Sequence, residues 1–72
     1  MPRGAAMMEM MMSYEYRVKA STMSVYVDSF QEVKEAIMEF IKKNDHGVVY
    51  EKISGKDVIA WRFDPYYGMV RA

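Results

Sequence analysis

The chain predicts an α+β fold with the element order β-β-α-β-β, a four-stranded antiparallel sheet with one helix packed on one face. Three observations lead there. One stretch, Ser29 to Asn44, carries a helical apolar stripe; pairs of short alternating runs stand on either side of it; and 72 residues without a cysteine leave room for a single core. Residues 14–72 are read as that one domain, preceded by a Met-rich segment, 1–13, read as a disordered tail.

The tail, MPRGAAMMEMMMS, places five Met among the six residues from Met7 to Met12. The apolar run is too short for a membrane span, and Glu9 interrupts it. Met10, Met11 and Met12 are each eligible as an initiation residue, and the thioethers would also make an adaptable contact segment for a partner.

The first strand is expected at Tyr14–Ala20, where Tyr14, Tyr16, Val18 and Ala20 alternate with Glu15, Arg17 and Lys19. Met23, Val25 and Val27 alternate with Ser24, Tyr26 and Asp28 in the second. A two-residue turn at Ser21-Thr22 sets Val18 opposite Val25, Tyr16 opposite Val27 and Arg17 opposite Tyr26, so every inward choice agrees. A cation–π contact between Arg17 and Tyr26 follows.

The helix opens with Ser29 and Glu32 at capping-box spacing and closes with Lys42 and Lys43 beside the negative end of its dipole, with Gly47 as the stop. Phe30, Val33, Ile37, Phe40 and Ile41 form its apolar face. Its packing partners are expected to be Val18, Val25, Tyr50 and Trp61.

The second hairpin runs from Val48 to Phe63. A type II′ turn at Gly55-Lys56 would pair Ile53 with Val58, Glu51 with Ala60, Tyr50 with Trp61 and Val48 with Phe63. That register turns Val48, Tyr50, Ile59, Trp61 and Phe63 toward the helix, and Val49, Glu51, Ile53, Val58, Ala60 and Arg62 away from it. Asp64-Pro65 ends the strand. Tyr66 to Ala72 is a turn and tail, or a short extra edge strand.

Ten acidic and ten basic residues cancel, so bulk charge draws the chain neither to nucleic acid nor to an anionic membrane. Catalysis is the least favoured class. There is no cysteine and no phosphate-binding Gly-rich loop, and the lone histidine, His46, sits in a turn. A metal held by His46, Asp45 and Asp57 is not expected, nor is any cofactor.

One helix covers only one face of a sheet, so the other face is the candidate partner surface. Arg17, Lys19, Tyr26, Glu51 and Arg62 would supply its polar and aromatic contacts, and Ile53 and Val58 its apolar ones. Tyr66, Tyr67 and Arg71 form a second candidate patch, of residue types enriched at interfaces. A sheet presenting Arg17, Lys19, Tyr26 and Arg62 would also suit stacked single-stranded bases, against which the interleaved Glu15 and Glu51 count.

The stretch Val25 to Ile53, VYVDSFQEVKEAIMEFIKKNDHGVVYEKI, resembles in layout the small phage inhibitors of host RNA polymerase and some compact anti-CRISPR proteins. A strand ends in an acidic or hydroxyl cap, a short Glu-rich helix follows, and a Val-rich strand returns. The resemblance implies a non-enzymatic protein that docks on a host complex and blocks it, in the cytoplasm of the bacterial host. The function expected is therefore a protein-binding regulator, a transcription inhibitor acting on RNA polymerase. The alternatives are an anti-CRISPR or other anti-defence protein, or a small single-stranded nucleic-acid-binding domain. No membrane association is expected, and the chain would be a monomer or a weak dimer.

Overall fold

The computed structural model describes residues 14–72; the expectation of a disordered tail lies outside them. The elements are β1 (Tyr16–Ala20), β2 (Ser24–Val27), α1 (Phe30–Lys42), β3 (Gly47–Ile53), β4 (Lys56–Asp64) and β5 (Gly68–Arg71). The fold is α+β as expected, but the sheet has five strands rather than four, in the order β2-β1-β3-β4-β5, and every neighbouring pair is antiparallel.

The first hairpin has the register its alternation predicts: Tyr16 lies opposite Val27, Arg17 opposite Tyr26 and Val18 opposite Val25. The Ala20 amide donates to the Met23 carbonyl at 2.8 Å and closes the Ser21-Thr22 turn.

Ser29 caps α1 from an extended backbone, accepting the Glu32 amide on its hydroxyl at 3.2 Å. The Glu32 carboxylate reaches back one residue further than expected and accepts the Asp28 amide at 3.1 Å. The helix stop is Asn44, not Gly47. Asn44 takes φ 60°, and the Asp45 amide donates to the Phe40 carbonyl and the Asn44 amide to that of Ile41, both at 2.9 Å. These two bonds make a Schellman motif, in which Asn serves because it tolerates the left-handed region better than most residues.

Gly47 has a different duty. It opens β3 directly against β1, where an added Cβ would stand 1.9 Å from the Lys19 carbonyl oxygen. Only glycine lets the two backbones come so close.

The second hairpin departs from the expected register. The turn is Ser54-Gly55, with both residues at positive φ (52° and 79°), the type I′ geometry. Ile53 therefore pairs with Lys56, Glu51 with Val58 and Tyr50 with Ile59. A bulge then lets Val49 pair with Trp61 and Val48 with Arg62, leaving Ala60 as the extra residue on β4. The Ala60 carbonyl is not orphaned, since it accepts the Ala72 amide at 3.0 Å.

The core lies between sheet and helix. Val18, Ala20, Val49 and Phe63 meet Val33, Ile37 and Phe40, each buried side chain being worth roughly 1.5–3 kcal/mol for the larger residues. Phe40 stacks on Phe63 with centroids 5.9 Å apart, and Phe30 leans on Trp61 at 5.0 Å. No helix among the described residues is long and apolar enough to cross a membrane.

Candidate functional site

Side chains on directly paired residues of a sheet share a face. One row across four strands thus reads Tyr26, Arg17, Tyr50, Ile59, and the next reads Ser24, Lys19, Val48, Arg62, Val70. Both rows lie on the face that α1 does not cover. Lys52 and Asp57, paired with each other, join them there.

Tyr14 completes this surface. The chain bends at Glu15, and the Tyr14 ring settles against Tyr26, with centroids 4.7 Å apart. Its hydroxyl donates to Asp57 Oδ2 at 3.0 Å. The Lys52 ammonium stands 3.9 Å from the centroid of the Tyr14 ring, and the Arg17 guanidinium 4.3 Å from that of Tyr50. The expected Arg17–Tyr26 stack is therefore replaced by Arg17 on Tyr50 and Tyr14 on Tyr26.

Asp57 ties the cluster together. Besides the Tyr14 hydroxyl it faces Arg17 Nε at 3.5 Å, with both side chains three-quarters buried. That ion pair falls short of a hydrogen bond, and among the described residues the buried Arg17 Nε has no other partner. Desolvation raises the Tyr14 phenol above its ordinary pKa, and the hydrogen bond to Asp57 adds to the rise.

Of the residues expected on this face, Arg17, Lys19, Tyr26 and Arg62 are brought together. Glu51, Ile53 and Val58 are not: the Ser54-Gly55 turn places them on the helix side of the sheet, toward its projecting hairpin end. The same correction buries Val49 completely and turns Val48 and Tyr50 outward. Sequence reasoning missed Tyr14, Tyr50, Lys52 and Asp57. The type I′ reading of Ser54-Gly55 would have found the last three.

The second candidate patch divides. Pro65, Tyr66 and Tyr67 form a loop in which Asp64 Oδ1 accepts the amides of both tyrosines at 2.7 Å, and Gly68 leaves it at φ 75°. Tyr66 and Tyr67 are 85% and 72% exposed and pack edge to face on each other rather than on the core. Arg71 lies on the helix side instead, its guanidinium 5.3 Å from the centroid of Trp61.

At the other end of the sheet, Asp45 joins two loops. It accepts the Ser21 hydroxyl at 2.7 Å and the amide of its neighbour His46 at 2.7 Å. The Ser21 bond, then the His46 amide, hold its carboxyl below the usual range. Asp57 belongs to the opposite end of β3 and β4, so the three residues weighed as metal ligands are not assembled. Among the described residues no group of three or more His, Asp or Glu is placed to hold a metal. Beside Asp45, a shallow depression of about 190 Å³ lies among Lys19, Ser21, His46, Val48 and Tyr50.

Compared with protein-family models, characterised proteins and solved structures, the chain matches none.

Proposed function

We propose that this chain is a non-enzymatic binding module that docks a macromolecular partner through the open face of its sheet. One observation carries the reading. The face left bare by α1 holds three tyrosines interleaved with Arg17 and Lys52, where a merely solvated face would be covered with unlinked polar side chains. Tyrosine and arginine give large contact area at low entropic cost, and their cross-strand stacking fixes the surface before any partner arrives.

A host protein complex, with bacterial RNA polymerase the particular case, is the partner that the layout resemblance implies, and it stands here as a proposal resting on layout alone. A photo-crosslinking residue at Ile59, on the open face, should capture a partner in extract from a bacterial host. The same residue at Glu35, on the exposed side of α1, should not. Equal capture from both positions, or capture only from Glu35, would move the docking surface elsewhere. Purified bacterial RNA polymerase in a single-round transcription assay tests the specific partner, since an excess of the chain that leaves transcript yield unchanged rules out inhibition of that enzyme.

A further inference from the structure

We infer that the open face binds single-stranded nucleic acid, with Tyr26 as its stacking platform and Lys19 and Arg62 as its phosphate partners. This rests on the open face being the docking surface and adds the chemistry of what docks there.

Charge is the first ground. The chain is neutral as a whole, yet the open face is not. The strand register sets Arg17, Lys19, Lys52 and Arg62 there with two acids, Asp57 and Asp64. Asp57 is engaged by the Tyr14 hydroxyl and Arg17, and Asp64 by the amides of Tyr66 and Tyr67. Glu51 lies on the other side of the sheet with Lys56 and Arg71, where α1 carries Lys34 and Lys42 among its Glu residues. The surplus of cations makes a local basic field on the open face that net charge conceals.

The tyrosines decide between classes of anion. An acidic peptide would answer the cations but brings an aromatic ring only where its sequence carries one. A single strand has both, because its phosphates meet the basic side chains while its unpaired bases stack on aromatic faces. Tyr26 is the ring to stack on. It is 45% exposed on the edge strand β2 and braced from one side by Tyr14. The Tyr50 and Tyr14 rings already carry Arg17 and Lys52, which keeps positive charge beside the path of the strand. Lys19 on β1 and Arg62 on β4 flank Val48 in the adjoining row, about 10 Å apart at the usual strand spacing. The depression beside Lys19 is smaller than the roughly 300 Å³ where small-molecule pockets begin, and it suits one phosphate or one base edge.

The test is fluorescence anisotropy of the full chain with labelled twelve-nucleotide oligouridylate and oligothymidylate, and with a poly-glutamate peptide of equal length. Binding to an oligonucleotide is expected at low salt, falling roughly tenfold between 50 and 200 mM salt for two or three phosphate contacts. Tyr26→Ala should weaken it about tenfold, as the loss of one stacked base does. Tyr26→Phe, which keeps the ring and guards against a merely unfolded variant, should restore it. Lys19→Glu with Arg62→Glu should abolish binding, whereas Lys34→Glu with Lys42→Glu, an equal charge change on α1, should leave most of it.

Failure to bind either oligonucleotide at low salt overturns the inference. Poly-glutamate bound as tightly as the oligonucleotide, with no effect of Tyr26→Ala, overturns it in favour of an acidic protein. In both cases selective protein capture from Ile59 would still stand, so the failure of this inference is separable from that of the docking surface itself.

Discussion

Along β1 and β3, Val18 and Val49 point toward α1 and are fully buried; one residue away on the same strands, Arg17, Val48 and Tyr50 point the other way. On the first face, stability comes from close packing of aliphatic and aromatic carbon against Val33, Ile37 and Phe40. On the second, order comes from ring–cation stacking around one shared carboxylate. Close packing makes the helix side sensitive to changes of shape, while the order of the open side depends on charge and aromaticity. On the proposed docking role, the surface that meets a partner is then not the one that holds the fold together.

The sharpest break should come where the covered face is tightest. Gly47→Ala puts a methyl carbon into the Lys19 carbonyl, and backbone cannot swing aside as a side chain can. A loss of about 3 kcal/mol or more is expected in urea denaturation, or no folded protein at all. Gly55→Ala is the contrast. Nothing lies within 4 Å of its added Cβ, so only the left-handed backbone resists, at about 1 kcal/mol. Equal losses at the two glycines would mean that β1 and β3 are not so closely apposed.

A second comparison tests which face each valine serves. Val49→Ala removes two buried methyl groups at a site with no exposure and should cost about 2 kcal/mol. Val48→Ala, half-buried on the open face, should cost under about 1 kcal/mol. The opposite ranking would restore the register read from a Gly55-Lys56 turn and return Glu51, Ile53 and Val58 to the open face.

Those two valines also show where the sequence stops being legible. The first hairpin could be read residue by residue, because strict alternation from Tyr16 to Ala20 and from Met23 to Val27 leaves one register in which the inward choices agree. In β3, Val48 and Val49 are adjacent and equally apolar, so the pattern does not say which faces in. The decision then falls to the turn. Ser54 accepts φ 52° there although its residue type does not advertise it, while the Ala60 bulge shifts the pairing once more. The capping box was visible in Ser29 and Glu32, but the Schellman stop at Asn44 was hidden by a nearby glycine with another task. β5 was legible only as an option, since Pro65, Tyr66 and Tyr67 interrupt the alternation before it; the two tyrosines, read as part of a second patch, stand exposed in that loop. Half of the candidate face was legible in Arg17, Lys19, Tyr26 and Arg62. Of the other half, Tyr50, Lys52 and Asp57 depended on the hidden turn and Tyr14 on the bend at Glu15.

The smallest expected effect probes the open face without touching its shape. Tyr14→Phe removes one hydroxyl and its bond to Asp57 while leaving the ring against Tyr26 and under Lys52. A neutral-pH loss of about 0.5–1 kcal/mol is the ordinary range for such a bond. The more telling readout is alkaline. Burial and Asp57 raise the Tyr14 pKa in the folded state, so folding favours the protonated phenol. Stability from this source is complete below the unfolded tyrosine value, near 10, and is lost as pH rises through the higher folded one. Urea denaturation at pH 7 and again above pH 10 should therefore show the parent chain losing more stability than Tyr14→Phe over that interval, with all other titrations common to both. Equal losses would mean that Tyr14 is not held against Asp57 in solution. The cluster would then be a set of independent side chains, and the open face would have no more prior order than any solvated strand surface.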